Sequence, residues 1–440
     1  LAGEKINTDT DTDKEILDNE SPDTKCKVGL YRWTICGLLF FATVIIYMDR
    51  QVFGILAPVL QKSIGWNEIE YGYIIAAFSA SYALGLLFVG RFIDRVGTKI
   101  GYFLSILVWS IAAIGHAFVK TVLDFGLARS LLGFGESGNF PAANKAIAEW
   151  FPKKERALAF GIFNSGANVG AVAAPLLVPW ITIMWGWQAD FIFVGLLGFV
   201  WIVLWAWLYE IPEKNKNVTQ KEVAYIQSDP EKQKSEKIPW LKLLKYRQSW
   251  AFIVSKFLTD PIWWFYLYWL PKFLNQRYGL NLTHLGLPLI AIYTMATIGS
   301  VGGGWLSGEL IQMGWSINKG RKIVMLICAI LIVPIVFVFS VSEWWAVLLI
   351  GLATAGHQGW STNLFTSVSD MFPKKAVGSV VGLGGMAGSI GGMLISAGVG
   401  FILQITGSYL SIFILAGVVY LPALFLFHQL VPKMEEAKIS

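Results

Sequence analysis

Charge is scarce in this chain: of 440 residues only 15% are Asp, Glu, Lys or Arg, against 55% hydrophobic residues. With 44 glycines and a mean hydropathy of +0.56, that balance lies outside the soluble globular range. Cysteine is scarcer still. Cys26, Cys36 and Cys328 are too few and too scattered for a disulfide framework or a metal site, and neither an HExxH nor a paired CxxC occurs. No positioned nucleophile is visible either, so an intramembrane enzyme is not expected and no cofactor is implied. The first residues do not read as a signal peptide either. Residues 1–30, with NTDTDTDKEILDNESPD, are polar, acidic and aperiodic, and no apolar stretch leads to a cleavage site. They are expected to form a disordered tail.

What the chain has is long apolar runs. About twelve of them, each able to cross ~30 Å of hydrocarbon as a helix, follow one another from Tyr31 to near Val431. Basic residues cluster at alternate breaks: Lys25, Lys27 and Arg32 before the first span, Arg91, Arg95 and Lys99 after the second, Lys153, Lys154 and Arg156 after the fourth. A Lys-rich segment follows the sixth span, Lys319, Arg321 and Lys322 the eighth, and Lys374 and Lys375 the tenth. Only Lys62, Lys120, Lys272 and Arg277 fall on the other side. The positive-inside rule then places both termini in the cytoplasm. This asymmetry accounts for the net charge of +6, so no nucleic-acid partner is implied.

The chain also repeats itself. EWFPKKERALAFGIFNSGANVGA and DMFPKKAVGSVVGLGGMAGSIGG align without a gap, Phe151 falling on Phe372 and Gly170 on Gly391, an offset of 372 − 151 = 221. The same offset sets GESG (Gly135–Gly138) on GHQG (Gly356–Gly359), so Glu136 meets His357. The expected fold is therefore all-α and integral to the membrane, twelve transmembrane helices in two six-helix pseudo-symmetric halves. Residues 1–30 form a cytoplasmic tail, 31–210 the first half, 211–247 a cytoplasmic linker, 248–432 the second half and 433–440 a second short tail. Parallel repeats of this kind build many secondary transporters, whose substrate site lies between the halves near the bilayer midplane. A transporter-like sensor is the alternative from another class, and it would usually carry a folded output domain.

GRFIDRVGTK, residues 90–99, resembles the loop motif of the major facilitator superfamily. The resemblance implies that Gly90, Arg91, Asp94, Arg95, Gly97 and Lys99 form a cytoplasmic charge latch that helps to hold an outward-open state; in the second copy Gly308 stands at the Asp position. Within the superfamily, YMDRQ, LARSLLGFGESGNFPA and KFLTDPIWWFYLYWLPKFL resemble the anion:cation symporters, and most closely the bacterial hexuronate transporters. That resemblance covers the chain from residue 31 on. It implies a proton-coupled importer of glucuronate or galacturonate in the inner membrane of a bacterium, a monomer using a proton rather than sodium. A carrier of another organic anion, an aldonate or aldarate, is the nearest alternative.

Asp49, Arg50, Arg129, Glu136, Lys256, Asp260 and His357 all fall inside predicted spans, where ionisable groups are costly and face each other or a water-filled cavity. Adjacent residues on a helix point ~100° apart, so Asp49 and Arg50 need different partners. Arg129 and Glu136 lie two turns apart, ~10.5 Å along one face. The economical solution crosses over, Asp49 with Arg129 and Arg50 with Glu136. Arg50 then offers a planar fork for a substrate carboxylate, with the Tyr47 hydroxyl beside it, and Asp49 and Glu136 are the titratable groups. Protonation of Glu136 frees Arg50 for the anion.

The second half supplies hydrogen-bonding groups at a density unsuited to lipid contact: His357, Gln358, Trp360, Ser361 and Asn363 in one helix interior. A polyol suits such a wall. Trp263 and Trp264 offer faces for a sugar ring, and Pro261 is placed to break the seventh helix. Lys256 and Asp260, spaced i, i+4, either pair with one another or serve the substrate, and spacing leaves both open. Tyr82 and Asn168 match cavity positions of the resembling family, and Ser389 is the repeat-mate of Asn168.

Overall fold

The computed structural model describes residues 29–228 and 240–437. Most of the expected N-terminal tail, the middle of the expected linker and the last three residues lie outside them. In the first half α1 (Tyr31–Ile64), α2 (Glu68–Val96), α3 (Thr98–Gly115), α4 (Val122–Glu136), α5 (Asn139–Trp150), α6 (Lys153–Trp185) and α7 (Trp187–Leu208) build six spans, α4 and α5 sharing the fourth. Two short helices, α8 (Gln220–Ile226) and α9 (Trp240–Leu243), belong to the connection. The second half runs through α10 (Arg247–Tyr268) and α11 (Leu270–Tyr278), which share the seventh span, then α12 (Leu282–Gln312) and α13 (Ile317–Ile332). It ends with α14 (Glu343–Met371), α15 (Lys374–Thr406), and α16 (Leu410–Val418) with α17 (Tyr420–Leu430) as the last span.

Among the described residues nine spans are long and apolar enough to cross a membrane by composition alone. The three that fall short are α4/α5, α10/α11 and α14. These carry Arg129 and Glu136, Lys256 and Asp260, and His357 with its polar neighbours. Their low hydropathy is the cost of lining the interior: the polar groups that weaken the apolar signal turn away from lipid.

The duplication is visible in backbone angles. Pro152 and Pro373 cap α6 and α15 at φ −61°, ψ 153° and φ −61°, ψ 147°, and each helix is 33 residues long. A proline fixes φ and lacks an N–H, so it opens a helix without leaving a donor unpaired. The repeat-mates Gly170 and Gly391 serve one purpose. A Cβ on Gly170 would stand 2.4 Å from the Val44 carbonyl oxygen of α1, and one on Gly391 would stand 2.6 Å from that of Phe257 on α10. Each glycine lets the fifth span of its half touch the first span's backbone. Two features break the symmetry. The fourth span is interrupted after Glu136, whereas α14 is continuous; and α10 runs through Pro261, the seventh span breaking at Trp269 instead of at the proline.

An even number of spans brings residues 29 and 437 to one face, together with the basic loops. At the opposite face the two halves meet closely. A Cβ on Gly72 of α2 would lie 2.6 Å from the Ser396 carbonyl oxygen of α15, and one on Gly400 would lie 2.4 Å from that of Glu68. Toward the basic face α15 stands clear, with nothing within 4 Å of a Cβ at Gly378, Gly382 or Gly385. The closed end is tied by charge: Lys272 Nζ lies 2.5 Å from Glu68 Oε2, over the rings of Tyr71 and Trp269, and Tyr71 donates to the Tyr268 carbonyl at 2.7 Å.

Glu68→Gln leaves the Lys272 ammonium, only 1% exposed, without its counter-ion. Breaking a buried pair from one side costs about 3–5 kcal/mol, enough to shift an equilibrium between two packed states. Nitroxides at Lys62 and Gln276, exposed positions of the two halves at this face, should then show a longer distance population by electron paramagnetic resonance. An unchanged distribution would show that the ion pair does not hold this end shut.

Candidate functional site

Arg50 lies near the middle of α1 and is 4% exposed. Its Nε donates to Glu136 Oε2 at 2.7 Å. Its guanidinium carbon lies 5.1 Å from the Tyr47 ring centroid, 5.4 Å from Phe78, 5.0 Å from Tyr82 and 5.4 Å from Trp264. Three of these rings come from the first half and Trp264 from the second, so the arginine sits on the seam. Such faces stabilise a guanidinium by about 0.5–2 kcal/mol each without using its N–H donors. Among the described residues no carboxylate other than Glu136 pairs with Arg50; the Tyr82 hydroxyl also bonds it, and the guanidinium fork retains room for a second carboxylate. Tyr47 presents its ring face to Arg50, where the spacing suggested its hydroxyl.

The backbone makes this convergence possible. A Cβ on Gly133 would lie 2.4 Å from the Phe78 carbonyl oxygen, and one on Gly135 would lie 2.7 Å from the Trp109 nitrogen. Without side chains at these two places α4 can press against α2 and α3, which brings Glu136 inward to α1.

The other half of the expected cross-over does not form. Both carboxylate oxygens of Asp49 and all three guanidinium nitrogens of Arg129 are buried without a hydrogen-bond partner. Arg129 instead lies 4.3 Å from the Phe53 centroid, 5.0 Å from Phe78 and 5.7 Å from Tyr268. Aromatic faces from α1, α2 and α10 hold the guanidinium where a direct bridge to Asp49 was expected. The Glu136 Oε1 atom and the Gln51 amide are likewise buried and unpartnered. Unpaired polar atoms at this density call for small polar guests or protons, since each is costly in an apolar setting.

In the second half the His357 Nδ1 is 2.6 Å from the Tyr420 hydroxyl, and the imidazole stacks on Trp263 with centroids 5.2 Å apart and planes at 5°. Lys256 Nζ lies 2.6 Å from Asp260 Oδ2, so these two do pair. Gln358 and Ser361 are half-buried, as is Asn168 across the seam on α6. Ser389 donates to the Gly385 carbonyl at 2.9 Å within its own helix. Trp360 and Asn363 do not belong to a polar wall. Both are wholly buried; Trp360 packs edge-on against Tyr420 at 5.5 Å, and Asn363 donates to the Gly303 and Gly359 carbonyls at 2.9 Å, fastening α14 to α12. Helical spacing leaves Trp360 on the His357 face, where both meet Tyr420, and turns Asn363 away toward α12. Sequence reasoning missed Phe78, Tyr268, Gln51 and Tyr420; aromatics in apolar runs carry no signal of their own, whereas Gln51 stood beside Arg50 in the same motif.

At the basic face Asp94 Oδ1 lies 3.6 Å from Lys145 Nζ of α5, and Lys145 also donates to the Ile93 carbonyl at 3.0 Å. Lys99 bonds Glu210 at 2.8 Å, which lowers the Glu210 pKa below the usual carboxylate range. Gly97, at φ +88°, makes the turn between α2 and α3 that no other residue takes easily. Gly90 approaches Pro141, and Arg91 and Arg95 are exposed.

Twelve spans in two repeated halves, with charges buried on the seam between them, have the build of a membrane transporter. The profile of the Major Facilitator Superfamily matches residues 39–394 and 310–439, and the chain belongs to that superfamily. It is 32% identical over 388 residues to the hexuronate transporter of Escherichia coli (strain K12), covering 87% of this chain and 90% of that protein. To the probable galactarate/D-glucarate transporter of Bacillus subtilis (strain 168) it is 31% identical over 401 residues, 86% of this chain and 87% of that one. A bacterial homologue of the human lysosomal transporter Spinster, solved inward-facing and unoccupied, shares the fold at a TM-score of 0.76 and 17% identity, over 94% of this chain and all of that one.

Proposed function

We propose that this protein imports a hexuronate, such as glucuronate or galacturonate, together with protons, by alternating access across the inner membrane of a bacterium. It works as a monomer with both termini in the cytoplasm, and the face closed here is the periplasmic one. The observation that carries the reading is Arg50: a cation held on the seam by four rings, with Glu136 on Nε and no second carboxylate on the Nη edge among the described residues. A carboxylate fits that edge in a bidentate manner. Tyr82 and Trp264 offer faces to a sugar ring, and the His357 and Gln358 side supplies polar groups for its hydroxyls.

Proton coupling follows from Glu136 and Asp49. Glu136 competes for Arg50 as long as it is ionised; once protonated it releases the guanidinium to the substrate. Asp49, buried without a donor, is the second proton site. Two of the relatives named above are a hexuronate transporter and a probable galactarate/D-glucarate transporter, which agrees with an anion site at Arg50. In proteoliposomes the full chain should concentrate labelled glucuronate when the outside is acidified, and glucose should compete poorly. Uptake indifferent to the pH gradient would reject proton coupling, and inhibition by glucose equal to that by glucuronate would reject the anion site.

A further inference from the structure

Below Arg50 the second half carries a charge pair that the mechanism above does not use. Lys256, Asp260 and Trp264 lie at i, i+4 and i+8, one stripe along α10, with Trp264 at its upper end against Arg50. The stripe faces the glycine rail of α15: a Cβ on Gly388 would stand 2.2 Å from Asp260 Oδ2, and one on Gly392 would stand 2.6 Å from the Trp264 ring. The two charges are not equally hidden. The Lys256 side chain is 7% exposed, its ammonium 4.3 Å from the Phe365 ring centroid, while the Asp260 side chain keeps 18% of its surface open. The seam therefore has a positive end at Arg50 and, one helical turn or about 5.4 Å below Trp264, a carboxylate on the α15-facing stripe that is less covered than its counter-ion Lys256.

We propose that Asp260, backed by Lys256, meets the end of the substrate remote from Arg50 and excludes sugar diacids. This inference rests on the hexuronate reading above. A hexuronate has one carboxylate, which Arg50 takes; its far end carries hydroxyl groups, and an ionised carboxylate accepts from them. An aldarate carries a second carboxylate at that end, where Asp260 repels it. Specificity here comes from a repulsive element as much as an attractive one. Lys256, bonded to Asp260 at 2.6 Å and itself the more buried of the two, orients the carboxylate and supplies its counter-charge.

Counterflow of labelled glucuronate in proteoliposomes, competed by unlabelled glucuronate or galactarate, tests this with the full chain. In the parent, galactarate should compete at least tenfold more weakly than glucuronate. In Asp260→Asn that gap should close or invert, because the repelling charge is gone and the Lys256 ammonium is uncovered. The double variant Lys256→Gln/Asp260→Asn leaves no unpaired ammonium and serves where the single variant fails to fold; its gap should narrow at least threefold. If the parent prefers glucuronate and neither variant changes the ratio beyond twofold, Asp260 does not set specificity and the inference falls alone. If the parent takes galactarate as well as or better than glucuronate, the inference and the hexuronate reading fall together.

Discussion

Arg50→Lys is expected to cut glucuronate uptake by about a hundredfold or more while the protein still folds. Lysine keeps the charge but not the geometry. The guanidinium serves two directions at once, Nε toward Glu136 at 2.7 Å and the Nη edge toward the cavity, and one ammonium at the end of a flexible stem cannot hold both. It is also more strongly hydrated and stacks less well, and the cage of Tyr47, Phe78, Tyr82 and Trp264 is shaped around a planar ion. Losing a buried, hydrogen-bonded charge contact costs about 2–5 kcal/mol, and 1.4 kcal/mol is a factor of ten. The KM for glucuronate should therefore rise steeply, and a monodisperse gel-filtration profile should show that the fold persists. A KM within threefold of the parent's would mean that the substrate carboxylate binds elsewhere.

The architecture was legible because the physics behind it is written in composition and spacing. Apolar length, alternating basic breaks and the FPKK repeat each report on one constraint, the bilayer or the duplication, and each can be read without knowing which helices touch. The Arg50–Glu136 bond was legible for a similar reason: two charges seven residues apart on one helix must be met from another. What was not legible depends on direction. Arg129 is surrounded by rings from three helices rather than by Asp49, and nothing in an apolar run marks Phe53, Phe78 or Tyr268 as its neighbours. In α14 a dense polar heptapeptide suggested one wall, but at about 100° per residue it cannot face one way. His357 turns toward Trp263 and Tyr420, whereas Asn363 turns to the α12 backbone.

Replacing Glu136 by Gln should separate binding from coupling. The glutamate is 1% exposed, bonds Arg50 through Oε2 and leaves Oε1 without a partner. Glutamine has nearly the same shape, and its amide oxygen can still accept from Arg50, but it is neutral at every pH and so resembles the protonated carrier permanently. With its strongest competitor for the anion gone, Arg50 remains available and substrate can bind, cross and exchange. The empty carrier, however, no longer has to release a proton from this site before returning. A pH gradient then has nothing to act on here, and it loses much of its power to concentrate the sugar acid. Counterflow between preloaded and external glucuronate should survive in Glu136→Gln, within a few-fold of the parent, while accumulation driven by an acid exterior drops to what the second proton site, Asp49, still couples. If the variant accumulates glucuronate as the parent does, Glu136 is a packing partner of Arg50 and the coupling proton resides at Asp49 or His357. If counterflow is lost as well, the carboxylate is required for binding itself, and its ionised state, not its protonated one, is the form that receives the substrate.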